Sequence, residues 1–155
     1  AAAFLRRAGA DTTEVKKLLQ NDMEHTVARY KILQSAQLYR GNIAVAVPQT
    51  PQDRVVVAQA ADELLSLQGV KASFVVFPSG ENVQMSARSL GEINVQVVLE
   101  ALGGGGHQTM AAAQLKHITP EAARSRIQTA IDQYREAQKK SGLESESEQK
   151  KKDKQ

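Results

Sequence analysis

The sequence predicts a single α/β domain in which helices flank a mixed β-sheet. Short apolar runs rich in β-branched residues alternate with segments whose apolar residues recur every three or four positions, in the order helix, strand, helix, strand, strand, helix, strand, helix. Two of the strands follow each other directly, so the sheet cannot be wholly parallel. With 155 residues, 41% of them hydrophobic, the chain can bury one sizeable core.

The first predicted helix follows the segment DTTE, where Asp11 can cap and Glu14 stands at the spacing of a capping box. Apolar residues fall on one stripe of this helix, which we expect to face a core. The stripe consists of Val15, Leu18, Leu19, Met23, Val27, Tyr30 and Leu33.

The next two predicted elements are a buried strand and a second helix. The strand covers about residues 38–47 and is closed by Pro48. The helix begins with Thr50 as cap and Pro51 at its first position, and it runs to about residue 68, where Gly69 stops it. Its inner face is formed by Val57, Ala60, Ala61, Leu64 and Leu65.

The segment ASFVVFPSGENVQMSARS predicts two strands joined through residues 78–80. The second strand alternates: Val83, Met85 and Ala87 point one way, and Gln84, Ser86 and Arg88 point the other. Arg88 is therefore expected at a strand end, on the polar side of the sheet. A guanidinium there is suited to bidentate recognition of phosphate, although an arginine at a strand end is usually only solvated.

The remaining elements are two helices and one strand. Asn94 is the expected cap of a helix that carries Val95, Val98, Leu99 and Leu102 on its apolar side and ends at a run of glycines. The segment AAAQLKH can return as a strand, and Thr119 with Pro120 begins the last helix. From residue 141 onward the chain is highly charged, and we expect a disordered tail.

Four consecutive glycines, Gly103, Gly104, Gly105 and Gly106, precede His107. The run lacks the Gly-Lys-Ser/Thr ending of a Walker loop and follows a helix, which argues against the dinucleotide fingerprint. A helix cap needs only one glycine. The remaining interpretation is a loop whose N–H groups turn inward on a phosphate, with His107 as a donor or proton carrier and Arg88 beside it.

Composition excludes several kinds of protein. There is no cysteine, hence no disulfide framework and no thiolate metal site. The formal net charge is +3, but most of it lies in the C-terminal tail, which argues against a nucleic-acid-binding face, and DNA is not an expected partner. No set of carboxylates and histidines has metal-ligand spacing, so neither a catalytic residue nor a metal ligand is predicted in this chain. No apolar run reaches the length of a membrane helix.

The GGGGH motif followed by small residues, with SARS and a short helix before it, resembles the DHHA1 domain of the DHH phosphoesterase family. The segments VKKLLQNDMEHTVARYKILQSAQLY and RSLGEINVQVVLEALGGGGH are most similar to the membrane-anchored cyclic-di-AMP phosphodiesterases of the GdpP type. The resemblance implies that residues 1–36 end the DHH lobe and form a connecting helix. It further implies that residues 37–140 are the substrate-binding domain and residues 141–155 the tail.

The resemblance also implies a site and its partners. The substrate phosphate is expected at the glycines and His107, with Arg88 and Ser89 contacting phosphate or base and Asn94 at the mouth. Mn²⁺ is expected in the preceding DHH domain of the same chain, so this piece alone should be inactive. The parent is expected on the cytoplasmic side of the cell membrane, and a homodimer is compatible with the resemblance.

Three functions remain open on the sequence alone. The first is the substrate lobe of a phosphodiesterase that opens cyclic-di-AMP to linear pApA. The second is the equivalent lobe of a nano-RNase or pAp phosphatase, which would bind a short oligonucleotide. The third is a non-enzymatic RNA-binding DHHA1 module, which the few aromatic residues disfavour.

Overall fold

A computed structural model describes residues 12–154 as four helices around one six-stranded sheet. The elements are α1 (Thr12–Gln34), β1 (Ala36–Tyr39), β2 (Ile43–Ala46), α2 (Arg54–Ser66), β3 (Ala72–Ser79), β4 (Asn82–Ser89), α3 (Val95–Glu100), β5 (Gly105–His107), β6 (Met110–Leu115) and α4 (Pro120–Asp153). The strand order is β1-β2-β3-β4-β6-β5, and β2 and β3 are parallel while the other neighbours are antiparallel. The predicted mixed sheet flanked by helices is confirmed.

The two faces of the sheet are covered to different extents. On one face, α3 and α4 pack over β2, β3, β4 and β6 and form the larger apolar cluster. On the other face, α2 and the end of α1 pack mainly over β2 and β3, burying Val57, Ala61, Val75 and Phe77, and α2 also reaches β4. No helix of the described chain packs over β6 and β5 on this second face, and Ala112 and Gln114 there are exposed.

The strand predicted over residues 38–47 is in fact the hairpin β1–β2. Arg40 and Gly41 in its turn have φ values of 55° and 84°, which reverses the chain. Glycine adopts this left-handed conformation freely, whereas arginine adopts it at some cost. The prediction failed because it treated residues 40–42 as part of one apolar run, although Gly41-Asn42 is a turn signal.

Helix caps are confirmed at two positions and corrected at a third. Asn94 accepts a hydrogen bond from Val97 N at 3.3 Å, and Thr119 accepts one from Ala122 N at 3.2 Å. Helix α2 begins later than predicted, because Asp53 and not Thr50 accepts the bond from its first turn, Val55 N to Oδ1 at 2.8 Å. The proposed cap Asp11 lies outside the described residues.

The apolar stripe of α1 is mostly exposed, contrary to the prediction. Leu18, Leu19, Met23, Val27 and Tyr30 all face solvent, and in this helix Ile32 is the residue buried in the core. The 23 residues of α1 extend about 35 Å at 1.5 Å per residue, whereas β2 has only four residues to pack against. Most of the helix therefore extends beyond the sheet.

Helix α4 continues to Asp153 through the segment expected to be disordered. All residues from 141 to 154 are exposed, so tertiary packing does not hold this part helical. Glu and Lys make up half of it, and these straight-chain residues are good helix formers, which charge content alone does not reveal. None of the helices in the described part of the chain is both long and apolar enough to cross a membrane.

Candidate functional site

A cavity of about 660 Å³ lies between α2 and the β4–β6–β5 side of the sheet. Strands β4, β6 and β5 form its floor, and α2 forms one wall through Arg54, Val57 and Ala58. The floor contains Arg88, the four glycines and His107. The structure thus brings together six of the eight site residues that the sequence predicted.

Strand pairing arranges the floor in three rows. Arg88 pairs with Met110, which pairs with His107, and Ala112 lies between Ser86 and Gly105. The third row is the pair Gln84 and Gln114. Rows two residues apart on a strand are separated by about 7 Å. The floor therefore changes from charged, through small, to amide side chains over about 13 Å.

The first glycine ends helix α3. Gly103 has a φ of 81°, and its N–H donates to Glu100 O at 3.0 Å. The next N–H, that of Gly104, donates to Leu99 O at 2.8 Å. These two bonds are those of a Schellman motif with glycine in the left-handed position. Gly103 is thus explained by the fold alone.

Gly104 and Gly106 are required because the chain crosses close to β6. A Cβ at Gly104 would collide with the carbonyl oxygen of Ala112 and lie 2.7 Å from Ala113 Cβ. A Cβ at Gly106 would collide with the carbonyl oxygen of Met110 and lie 2.6 Å from the Cα of Ala111. Close backbone approach was predicted correctly, but the approaching group here is the protein's own strand.

Gly105 is the member of the run that the fold does not explain. Its φ is not positive, and a Cβ built on it would meet no heavy atom within 4 Å. The residue lines the cavity in strand β5, which pairs with β6. The expected loop is therefore an edge strand over Gly105–His107, with open space above Gly105 for a ligand.

Arg88 lies at the cavity floor with its side chain 13% exposed. Its Nη1 donates to Ser86 Oγ at 3.2 Å and to Ala87 O at 2.9 Å. Its Nε is 3.5 Å from Asp62 Oδ1 but is not aligned for a hydrogen bond, and no other described residue accepts from this buried nitrogen. Since guanidinium has five N–H donors, the protein uses only part of its capacity.

Ser89 and Asn94 lie away from the cavity. The alternation of β4 turns Ser89 to the opposite face from Arg88, where its hydroxyl donates to Ile93 O at 2.6 Å and accepts from Gly91 N at 2.9 Å. Asn94 caps α3, and its own N–H donates to Tyr134 Oη at 3.0 Å. Both residues shape the segment that leads into α3, and neither lines the cavity.

The cavity residues missed from the sequence include three long polar side chains, Arg54, Gln84 and Gln114. Arg54 is the first residue of α2, where the positive end of the helix dipole disfavours a cation. That unfavourable placement was a signal available in the sequence. The two glutamines gave no such signal, because strand pairing alone puts them side by side.

Within residues 12–154, no three His, Asp or Glu side chains converge as metal ligands. The Mn²⁺ that the resemblance implies therefore has no fitting donor set in the described part of this chain. We assign these residues no step through a metal.

The fold and cavity define an α/β domain with cationic groups and an open glycine strand at one end of a surface cavity. Its sequence matches the DHHA1 domain over residues 41–139, and the chain belongs to this family. It is 48% identical over 139 residues to the cyclic-di-AMP phosphodiesterase GdpP of Bacillus subtilis (strain 168), covering 86% of this chain and 21% of that protein. It is 43% identical over 137 residues to the cyclic-di-AMP phosphodiesterase PdeA of Listeria monocytogenes, covering 86% and 21%.

A further relative carries the name of a membrane protein. It is the membrane protein–large ribosomal subunit bL9 fusion protein of Aster yellows witches'-broom phytoplasma, 34% identical over 117 residues, which are 74% of this chain and 14% of that protein. The chain thus spans about a fifth or less of the length of these relatives.

Two solved structures share the fold. An exopolyphosphatase-related protein from Bacteroides fragilis superposes with a TM-score of 0.66 at 19% identity, covering 74% of this chain and 36% of that one. The pGpG-specific phosphodiesterase PggH from Vibrio cholerae superposes with a TM-score of 0.55 at 15% identity, covering 76% and 42%.

Proposed function

We propose that this chain is the substrate-binding lobe of a phosphodiesterase that hydrolyses cyclic-di-AMP to linear pApA. The observation that carries the proposal is the open position at Gly105, in one cavity with Arg88 and His107. The names of the relatives GdpP and PdeA support the choice of substrate.

Three cavity residues have proposed roles in binding the substrate phosphate. The phosphate lies against Gly105, in the space that a side chain at this position would occupy. His107, on the exposed edge strand, donates a hydrogen bond to this phosphate. The free donors of Arg88 contribute charge-assisted hydrogen bonds from the floor. Ser89 and Asn94 are not proposed as substrate contacts, because their hydrogen bonds lie on the other face of the sheet.

The hydrolytic step requires a second domain. Metal ions that activate water and stabilise charge on the phosphate would be held by a DHH domain preceding this chain in the full-length protein. The exposed apolar residues of α1, such as Leu19 and Met23, are available to pack against that domain. We expect no appreciable turnover by this chain alone with Mn²⁺, whereas turnover comparable with the full-length protein would contradict the proposal.

We also propose that the full-length protein is anchored in the cell membrane with this domain on the cytoplasmic side. The name of the phytoplasma relative supports the membrane anchor. Fractionating cells that produce the full-length protein would test it.

The binding test compares cyclic-di-AMP, pApA and pAp by calorimetry with the full-length protein. His107→Ala and Arg88→Ala should each weaken dinucleotide binding about tenfold or more, since a hydrogen bond to a charged group contributes about 1.5–3 kcal/mol. Arg126→Ala is the matched control, because this exposed arginine lies on α4, outside the cavity. Preference for pAp over both dinucleotides would favour the phosphatase alternative. Equal binding by all the variants would overturn the site.

A further inference from the structure

The end of the cavity opposite Arg88 contains two unengaged amides. Gln84 on β4 and Gln114 on β6 are direct neighbours in the strand register, and both line the cavity. Neither side chain hydrogen-bonds to another residue of the described chain, although Gln84 is half-buried. Two adjacent amides with free donors and acceptors on a cavity floor form a polar surface without net charge.

This end lies one row, about 7 Å, from Gly105 and two rows from His107 and Arg88. Gln84 and Arg88 are four residues apart on β4, which corresponds to about 13 Å. The cavity wall has a similar length, because Arg54 and Asp62 are eight residues apart on α2, which corresponds to about 12 Å. Asp62 lies beside Arg88, and α2 runs antiparallel to β3, so Arg54 lies near the amide end.

The surroundings of the amides suit a nucleobase better than a second phosphate. Half-buried Ala58 on the wall and exposed Ala112 on the floor provide apolar surface beside them, which can contact the flat face of a ring. An amide group presents one acceptor and one donor side by side, the pattern that pairs with the 6-amino group and an adjacent ring nitrogen of adenine. A second phosphate could accept from Arg54 and from the amide N–H groups, but it would leave the amide oxygens without a donor, whereas an adenine edge engages both the oxygen and the N–H group.

We propose that Gln84 and Gln114 form a nucleobase subsite that recognises the adenine edge while the phosphate lies at Gly105 and His107. This inference rests on the proposed function and adds the residues that select the base. Arg54, at the same end, balances the charge of the nucleotide backbone.

The test measures base preference and not affinity alone. Binding of pApA to the full-length protein is compared with that of a dinucleotide in which unsubstituted purine replaces both adenines, which removes the 6-amino donor. The wild-type protein should prefer pApA by roughly fivefold or more, the lower limit of one amide–adenine pair. In the Gln84→Ala/Gln114→Ala double variant this ratio should fall towards one. Gln114→Ala alone, at an exposed position, should lower the ratio in part without a change in folding.

Two controls separate this inference from the proposed function. His107→Ala should weaken both ligands and leave their ratio unchanged, because it acts on the phosphate. Gln37→Ala removes an exposed amide from the far edge strand β1 and should change neither quantity. A preference retained in the double variant, or no preference in the wild type, would overturn the subsite alone. Absence of pApA binding by the wild type would overturn the proposed function and the subsite together.

Discussion

Two arginine–aspartate pairs in this molecule have opposite uses. At the β1–β2 turn, Arg40 Nε and Nη2 donate to Asp132 Oδ1 and Oδ2 at 3.0 and 3.1 Å, and Tyr39 Oη donates to the same carboxylate at 2.7 Å. In the cavity, Arg88 Nε lies 3.5 Å from Asp62 Oδ1 without a hydrogen bond. The first pair ties a turn to helix α4, while the second leaves a cation partly unengaged.

The electrostatics of the first pair follow from its geometry. Hydrogen bonds from Arg40 and then Tyr39 hold the pKa of Asp132 below its usual value. Because each donates a hydrogen bond to the Asp132 carboxylate, the pKa of Tyr39 and that of Arg40 are raised. Each guanidinium donates two hydrogen bonds within the protein, but those of Arg40 go to a carboxylate, whereas those of Arg88 go to the neutral oxygens of Ser86 and Ala87. The charge of Arg88 is therefore the one available to an anion.

The largest effect is predicted within the glycine run, where Gly104 serves the fold and Gly105 is proposed to serve the ligand. Gly104→Ala should lower the free energy of unfolding by about 1–3 kcal/mol, since its Cβ would collide with the backbone of β6. Gly105→Ala should leave stability nearly unchanged and weaken dinucleotide binding, because its Cβ would enter the open space above the strand. Denaturant unfolding and calorimetry on both variants measure the two effects. Equal loss of stability in both would show that Gly105 also serves the fold.

The juxtaposition of Arg88 and the glycines could be predicted because it depends on a local pattern. Alternation in β4 places Arg88 on the polar face, and the small-residue strand after the glycines pairs beside it. The strand β5 could not be predicted, since glycines have no strand propensity and Gly105–His107 is held by its pairing with β6. The register that aligns Gln84 with Gln114 is likewise a tertiary property.

Helix α1 shows a different limit of sequence reasoning. Its three- and four-residue periodicity correctly predicts a helix, and the apolar stripe indicates burial. Periodicity does not say which partner covers the stripe, and in this chain only the end near Ile32 reaches the core. Under the proposed function, the DHH domain of the full-length protein is the partner that would cover the stripe.

A smaller effect is expected at the turn. Asp132→Asn should reduce stability by less than Gly104→Ala does, because the pair is solvent-exposed and therefore screened. A carboxyl with a lowered pKa stabilises the fold fully above its unfolded pKa of about 3.9 and loses this contribution as the pH falls further. Unfolding curves between pH 7 and pH 2 should therefore converge for the wild type and Asp132→Asn at acid pH. Dinucleotide affinity should not change, and a loss of affinity would remove the contrast between the two pairs.

The smallest effect is expected at Asp62, whose side chain is 68% exposed beside Arg88. An anion in the cavity competes with this carboxylate for the guanidinium, so Asp62→Asn should strengthen dinucleotide binding about two- to threefold, the size expected of an exposed charge. The gain should shrink at high salt, where exposed charges are screened. Glu63→Gln makes the same charge change one residue along α2, but Glu63 pairs with Arg29 at 3.2 Å and should have less effect. Weaker binding in Asp62→Asn would mean that the carboxylate orients Arg88 for the ligand. The Arg88–Asp62 pair would then be a structural pair like Arg40–Asp132, and the contrast between them would be lost.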